Sequence, residues 1–417
     1  MRYLISGIYG QRNVGDEAVL AGIIQEIRRR DTDARFTVLS FDPEDTRRRH
    51  GVEALSTTLR DPGALASAMR AADLLISGGG SILHEADFEQ FGRSFFFYGG
   101  KLRPVPYFLS IVLMARALRL PVMWYAQGLG PLNTRAARRL VGLAGSASQV
   151  VTWRDADSAR LAAEVGVRPP VQLIVPDPAY ALEPASPEVT AAALRAAGLP
   201  PGLPYIAVCP RPWLDRTGFL QSLVTAVACV AAERDLAVLL VPFHGYLDAS
   251  LCADLAASSG LSGRAFVIHG TDPGETADPG GIAGPASAAN AALAPGAPEM
   301  PDPALVAGLL RDAECAVTMR LHSGILAALA GTPAVSIDYD PKVASFADQT
   351  GQAHWAVSVD ELESPAGAAA LEVALRATLD DLPGRRAALR RRVASLRTEA
   401  GRTAALAVQL AAGSSGS

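Results

Sequence analysis

Short apolar runs alternate with helix-forming segments along almost the whole chain, and this alternation restricts the fold more than any other feature. A first strand is expected at 3–7. Further strand-like runs follow at the spacing of α/β units, at 36–40, 74–77, 122–125, 149–152 and 173–175. The pattern starts again after the Pro-containing stretch 183–187. Strands that alternate with helices form parallel, helix-covered sheets. The sequence therefore predicts two α/β halves.

The length of 417 residues supports the same division, because it exceeds one ordinary domain. We predict an α/β fold of two Rossmann-like domains facing a cleft, which is a GT-B-like arrangement. The expected ranges are an N-terminal domain at 1–183, a C-terminal domain at 188–360, helices at 361–411 that pack back on the first domain, and a flexible tail at 412–417.

Composition excludes several classes of protein. The net charge of −4 provides no basic field for nucleic acid. The four cysteines form no CxxC pair, so we expect no zinc site and no disulfide framework, only buried free thiols. No apolar run approaches the ~20 residues of a spanning helix, and we expect no signal peptide, since the N-terminus is predicted to be a first strand without an apolar h-region or a cleavage site. The expected location is the cytoplasm.

The stretch 319–324, Met-Arg-Leu-His-Ser-Gly, stands between an apolar strand-like run and a helix former that stops at Gly331. Ligands of open α/β sheets bind at such strand-to-helix turns. The helix amino-terminus favours an anion, Arg320 adds donors matched to phosphate or carboxylate, and His322 adds an imidazole, a side chain suited to donating or accepting a proton. Alternatively, Arg320 forms a surface ion pair and His322 caps a helix.

Glycine-containing loops are predicted after three strands of the first half. The first, 8–18, contains Asn13 and then Asp16 and Glu17, which open a helix. It lacks G-x-G-x-x-G spacing, and its acid pair suits sugar hydroxyls better than pyrophosphate. A plain capped helix explains the same pattern. The loops 77–81 and 126–131 resemble it, and together the three indicate a ligand crevice.

In the second half, charged side chains again follow strands instead of lying on helix faces. They are Arg211, His244, Arg320, His322 and Lys342. Because carboxyl ends of parallel strands meet at one edge of a sheet, we expect these residues to line a site for a small, highly anionic ligand.

Two further segments depart from the α/β pattern. Residues 93–120 are unusually apolar and are flanked by basic residues, which is typical of a membrane interface, a buried core helix or a dimer contact. Residues 271–303 are rich in Gly, Ala and Pro without a period, and they predict a surface insertion.

An ordered set of motifs identifies a family. The motifs are Asn-Val-Gly-Asp-Glu-Ala at 13–18, Ser-Gly-Gly-Gly-Ser at 77–81, Gln-Gly-Leu-Gly-Pro at 127–131, Arg-Asp-Ala-Asp-Ser at 154–158, Asp-Pro-Ala at 177–179, Arg-Pro-Trp at 211–213, Arg-Leu-His at 320–322 and Tyr-Asp-Pro-Lys at 339–342. The chain resembles the polysaccharide pyruvyl transferases, especially CsaB-type members. His244 stands where that family is expected to have Gln, so its role is open.

The resemblance implies a reaction. Phosphoenolpyruvate would donate its three-carbon unit to a sugar as a pyruvate ketal, and phosphate would leave. For CsaB-like members the acceptor would be N-acetylmannosamine on a lipid-linked wall-polymer precursor at the inner face of the membrane. The ketal would then be recognised by S-layer-homology domains. No metal is expected, because the reaction does not require one. No cofactor is expected either, because phosphoenolpyruvate is a co-substrate.

The matching positions give the expected roles. Arg320, His322 and Asp16 would be catalytic, with His322 either the general acid or a phosphate ligand. Substrate-binding positions would be Arg211, Lys342, Arg154, Asn13, Glu17, Gly79, Gly80, Gln127 and Ser323. Arg211, Arg320 and Lys342 would face the donor, on the side of the C-terminal domain, and Asp16 and Glu17 the acceptor, on the side of the N-terminal domain.

Two other functions remain open. A GT-B glycosyltransferase that uses a nucleotide sugar would share the fold, but no base-recognition pocket is identifiable. A wall-polymer binding protein would need aromatic platforms, yet aromatic residues make up only 6%. The sequence leaves open the acceptor hydroxyls and whether the chain forms a homo-oligomer.

Overall fold

The computed structural model describes residues 1–57, 61–85, 97–98, 101–245, 247–269 and 300–414. The chain divides into two compact units. The first unit comprises Met1–Gln11, Val19–Ala181 and Leu396–Ser417. The second comprises Arg12–Ala18 and Leu182–Ser395.

The first unit alternates strands and helices as the apolar pattern predicts. Its elements are β1 (Arg2–Ser6), α1 (Val14–Arg28), β2 (Arg35–Ser40), α2 (Pro43–His50), β3 (Glu53–Ser56), α3 (Pro62–Ala71), β4 (Leu74–Leu83), β5 (Phe97–Tyr98), β6 (Lys101–Leu102), α4 (Pro104–Ala117), β7 (Val122–Leu129), α5 (Arg135–Ala147), β8 (Val150–Trp153), α6 (Ala156–Glu164), β9 (Val171–Ile174) and a 3₁₀ helix (Pro178–Ala181). Among the described residues, the main sheet has the order β3-β2-β1-β4-β7-β8-β9 with all strands parallel.

Helix α4 shows which of the three alternatives applies to most of the apolar segment 93–120. Phe108, Leu109, Ile111 and Val112 on this helix are buried in one hydrophobic core with strand residues such as Trp124. The apolar character of 104–117 is therefore that of a core helix. Residues 93–96 and 99–100 lie outside the described residues. Within the part of the chain that the structure describes, no helix is long and apolar enough to span a bilayer.

The second unit repeats the pattern. Its elements are α7 (Pro187–Ala196), β10 (Tyr205–Cys209), α8 (Gly218–Glu233), β11 (Ala237–Leu240), α9 (Leu247–Ala257), β12 (Ala265–Val267), α10 (Pro303–Asp312), β13 (Cys315–Thr318), α11 (Leu321–Ala330), β14 (Ala334–Asp338), α12 (Pro341–Thr350), a 3₁₀ helix (Ala353–Trp355), β15 (Val357–Ser358), α13 (Val359–Leu362), α14 (Gly367–Asp380) and α15 (Leu382–Ser414). Its described strands form a parallel sheet in the order β12-β11-β10-β13-β14-β15.

Two parallel, helix-flanked sheets confirm the expected fold class. Helix α15 is continuous but is divided between the two units. Its residues from 396 onward belong to the first unit. There Ala404, Ala407 and Ala411 are buried in the same core as Ile5. The segment Arg12–Ala18, placed in the N-terminal domain by the predicted boundaries, belongs to the second unit. Most of the insertion predicted at 271–303 lies outside the described residues, as does the end of the tail.

Two of the predicted glycine loops are wrong, because residues 77–81 lie within β4 and residues 126–129 lie within β7. Strand β4 runs to Leu83 through three glycines with positive φ, and β7 runs through Gly128. A Cβ added at Gly79 would lie 2.2 Å from the Val19 side chain, so this glycine is required by close packing of α1 on the sheet. The expectation of buried thiols also fails at one position, since Cys229 is exposed.

Candidate functional site

Arg320 occupies the turn between β13 and α11. Its backbone is extended, with φ −78° and ψ 143°, and it forms the N-cap of the helix. The hydroxyl of Ser323, which is fully buried, donates to the Arg320 carbonyl oxygen at 2.6 Å and closes the first turn. Helix α11 ends at Gly331, whose φ of 74° lies in the left-handed region. The local sequence thus fixes a cation at a helix amino-terminus.

The guanidinium of Arg320 is held by Asp248, on the first turn of α9. Its Nε and Nη2 each donate to one carboxylate oxygen at 2.6 Å. Asp248 is fully buried, whereas the Arg320 side chain is 15% exposed. Burial opposes the charged form of Arg320, but the charge and hydrogen bonds of Asp248 outweigh it, and the pKa of Arg320 is raised.

Arg211 lies immediately beyond β10 between two aromatic rings. Its guanidinium carbon is 5.0 Å from the Trp213 ring centre and 4.7 Å from that of Tyr339. Nη1 also donates to the Tyr339 hydroxyl at 2.7 Å. Burial and then the charge of Arg320 lower the pKa of Arg211, so the two cations act on each other. Stacking and the hydrogen bond hold a desolvated cation in one orientation.

The sheet order explains why these side chains meet. His244, Arg211, Arg320 and Tyr339 follow β11, β10, β13 and β14, which are consecutive neighbours in the second sheet. Their carboxyl ends therefore share one edge. This is the edge at which parallel α/β sheets bind ligands.

The segment Arg12–Ala18 adds a third element to this edge. Val14 N donates to the Phe243 carbonyl at 2.9 Å, and Asn13 forms an antiparallel bridge with His244. Gly15 lies against His322, because a Cβ added at Gly15 would be 2.4 Å from Nδ1 of the imidazole. The Asn13 side chain accepts from Gly15 N at 3.0 Å and shapes the turn.

Charges around the segment act on the same groups. The Asp16 carboxylate contributes to the raised pKa of Arg320. Burial, followed by the charge of Arg320, lowers the pKa of His244 to about 4, so that this imidazole is neutral at pH 7. Glu17 is only 2% exposed, so its side chain lies beneath the surface.

Comparison with known sequences identifies the family of the chain that carries these residues. The sequence profile described as polysaccharide pyruvyl transferase matches residues 13–341, from the Asn13 turn to the start of α12. The chain is a member of the polysaccharide pyruvyl transferase family. No curated protein sequence matches it.

Solved structures support the fold of this pyruvyl transferase family member. UDP-GlcNAc 2-epimerase from Methanocaldococcus jannaschii aligns with a TM-score of 0.57 and 11% identity, over 91% of this chain and 93% of that chain. HepE from Anabaena, in complex with UDP-glucose, aligns with a TM-score of 0.55 and 13% identity, over 97% and 99%. These similarities show a GT-B-like fold.

Several expected site residues have other contacts in this pyruvyl transferase family member. Arg154, in the first unit, is buried and donates to Asp177 at 3.3 Å and to Ser81 at 2.6 Å. Lys342 pairs with Asp340 at 3.2 Å and is 38% exposed. Each of these two cations therefore has an acidic partner within the protein.

Gln127, Gly79 and Gly80 also lie in the first unit, inside the sheet. The Gln127 side chain is fully buried, and its Nε2 donates to the carbonyls of Gly80 at 3.0 Å and Gly128 at 2.8 Å. These contacts join β4 to β7. Binding roles for these positions stay predictions, and their contacts are structural.

Asp248 is the residue that sequence reasoning missed. It lies four residues after His244, beyond a strand that neighbours the strand of Arg211. An acidic residue on the first turn of a helix is usual, so this placement was no reason to assign Asp248 to the site. Its position at the same sheet edge as Arg320 was the available signal. Among the described residues, no group of three or more His, Cys, Asp or Glu could hold a metal ion.

Proposed function

We propose that this chain transfers the three-carbon unit of phosphoenolpyruvate to two hydroxyls of a saccharide, forming a pyruvate ketal and releasing phosphate. The observation that carries the proposal is the pairing of Arg211 and Arg320 within one unit, each held in a fixed orientation. Two fixed guanidiniums suit a ligand with both a phosphate and a carboxylate, since each group accepts parallel N–H bonds.

Ketal formation requires a proton donor as well as cations. Protonation of C3 of the donor gives a methyl group and a cationic C2. One sugar hydroxyl attacks C2 and loses its proton, the C2–O bond to phosphate breaks, and the second hydroxyl attacks and loses its proton. One proton is thereby gained at carbon and two are released from oxygen. Phosphate leaves with the electrons of the broken bond.

His322 is our candidate for the proton at C3. It follows Arg320 by two residues on the first turn of α11 and packs against Gly15. A positioned general acid typically contributes ~10²–10⁴-fold. Asp16, on the turn that Gly15 shares, is the candidate to accept a hydroxyl proton. The charge of Asp16 helps to raise the pKa of Arg320, which supports a position of Asp16 near the phosphoenolpyruvate site.

The acceptor that we infer is an N-acetylmannosamine residue of a lipid-linked wall-polymer precursor. The similarity of the eight motifs to CsaB-type members supports this choice. A lipid-linked acceptor would bring the enzyme to the inner face of the membrane, and the ketal would serve recognition by S-layer-homology domains.

The decisive experiment combines the protein, phosphoenolpyruvate and a lipid-linked disaccharide analogue that contains N-acetylmannosamine. We expect an acceptor product with the mass of one added pyruvate ketal and an equal amount of phosphate. Arg320→Ala and His322→Ala should each abolish phosphate release. The control is Arg264→Ala, which should not, because the Arg264 side chain is on the surface and 41% exposed. Turnover retained in either variant would remove that residue from the mechanism.

Thermal shift separates the proposal from a nucleotide-sugar transferase. A ligand that binds only the folded state stabilises it by RT ln(1 + [L]/Kd), about 2.7 kcal/mol at a hundredfold excess over Kd. We expect stabilisation by phosphoenolpyruvate and none by UDP-glucose or UDP-GlcNAc. Stabilisation by a UDP-sugar alone would replace the proposal with the glycosyltransferase alternative.

A further inference from the structure

Asp248 is a buried carboxylate that accepts three hydrogen bonds. It is fully buried and accepts from Arg320 Nε and Nη2 at 2.6 Å each. A third bond comes from the backbone N–H of Phe243 at 3.2 Å, to the oxygen that also accepts from Nε. A buried charge is tolerated only when paired and hydrogen-bonded in this way.

The shape of the contact determines what Arg320 can do. A guanidinium is planar, so two parallel bonds through Nε and Nη2 fix its plane and its rotation. Asp248 takes two of the five N–H groups of Arg320. The three that remain are on Nη1 and on the outer side of Nη2, and they point away from the carboxylate. The orientation of these donors is therefore set by Asp248.

Asp248 also changes the electrostatics of the cation pair. Arg211 and Arg320 repel each other, and the charge of Arg320 lowers the pKa of Arg211. The Asp248 carboxylate acts in the opposite direction on both guanidiniums. It therefore reduces the repulsion between two cations that must stay close in the absence of a ligand.

We propose that Asp248 is a positioning residue of the donor site: it holds the Arg320 fork in the plane that receives the phosphate or carboxylate of phosphoenolpyruvate. This inference rests on the proposed function. It assigns a role to a residue outside the expected site, and it predicts that the fork geometry, beyond the positive charge, is what the donor requires.

The test uses Asp248→Asn, which preserves shape and removes the charge and one acceptor oxygen. An amide can satisfy only one of the two Arg320 bonds, so the guanidinium loses its fixed plane. Misplacing a substrate-positioning group by about 1 Å costs on the order of 10²-fold. We expect Kd and KM for phosphoenolpyruvate to rise on that order, and KM for the saccharide acceptor to change less than threefold.

A merely structural role predicts a different result. Asp248→Asn would then lower the melting temperature and the folded fraction, while the folded molecules would keep the wild-type KM for phosphoenolpyruvate. The matched control is Glu363→Gln, since Glu363 also accepts two bonds from one arginine, Arg216, at 2.9 and 2.6 Å within the same unit. It should leave the KM for phosphoenolpyruvate unchanged.

Arg320→Lys provides a second variant in case Asp248→Asn does not fold. The ammonium keeps the buried carboxylate paired but cannot form the fork. We expect the same rise in KM for phosphoenolpyruvate with the fold retained. In the double variant, the effects should be less than additive, because the lysine has no plane for Asp248 to fix.

The outcomes separate this inference from the proposed function. Calorimetric titration of the wild-type protein comes first, and failure to bind phosphoenolpyruvate would overturn the proposed function itself. If the wild type binds and Asp248→Asn or Arg320→Lys binds equally well, the proposed function stands and the positioning role is overturned.

Discussion

Replacing Gly15 by alanine should disturb catalysis through a single contact. Gly15 lies in the first turn of α1 and its φ is outside the left-handed region, so alanine suits the backbone there. The added methyl group would lie 2.4 Å from Nδ1 and 2.7 Å from Cγ of His322. Ordinary contact distances are about 3.5–4.0 Å, and the imidazole must therefore move by about 1 Å.

The magnitudes separate the effect on activity from that on stability. Overpacking costs about 1–3 kcal/mol, and replacing a helical glycine with alanine recovers up to about 1 kcal/mol. The net loss of unfolding free energy is therefore at most about 3 kcal/mol. Displacing a group in the reaction by about 1 Å costs on the order of 10²-fold in rate. We expect a folded protein whose kcat falls about a hundredfold.

The assay measures phosphate release from phosphoenolpyruvate with the saccharide acceptor, beside a urea unfolding curve. Gly218→Ala is the matched control, because Gly218 also begins a helix and its added methyl group would meet Glu363 at an ordinary 3.5 Å. If Gly15→Ala loses no more activity than Gly218→Ala, then the position of His322 against this turn does not matter for turnover.

Three more predictions concern charged groups. Arg211→Lys removes the planar cation between the two aromatic rings, and should raise KM for phosphoenolpyruvate at least tenfold in steady-state kinetics, whereas a KM within twofold of wild type would exclude a fork-specific role. Arg154→Met should cost about 3–5 kcal/mol in urea unfolding because it removes the cation that pairs with the buried Asp177 carboxylate, and a change below 1 kcal/mol would contradict this. His244 has a pKa of about 4 in the folded protein, so the unfolded chain binds more protons below pH ~6.5. Its contribution to stability is present above pH ~6.5 and is lost as the pH falls, by about 3 kcal/mol near pH 4. In His244→Gln, which cannot titrate, the unfolding free energy should fall less over this range, and an identical pH profile would refute the assignment.

The fold could be predicted because the apolar runs have a strong period. Strands such as Tyr205–Cys209 and Ala334–Asp338 are short, mostly apolar and bounded by turn residues. The prediction of loops from glycine was less reliable. The pattern predicts a loop at 77–81, but β4 continues through it, since glycine also permits close packing against a helix.

The candidate site was predictable only in part. Sequence position alone indicated that Arg211, Arg320 and His322 follow strands. Arg211 follows β10 and the other two follow β13, and these two strands are neighbours in the sheet. Partners distant in sequence could not be inferred in the same way. Asp248 is 72 residues from Arg320, and no local pattern joins them. The burial of Arg154 against Asp177 likewise depends on tertiary packing.

The distribution of thiols gives this protein a built-in site for chemical labelling. Cys209, Cys252 and Cys315 are buried, and burial raises the pKa of each, so their reactive thiolate forms are scarce. Cys229 is exposed on α8. A maleimide dye added to the native protein should therefore attach at one position. Because the charge of Asp248 reaches both Cys209 and Cys252, slow labelling of those two thiols would report how often this region opens.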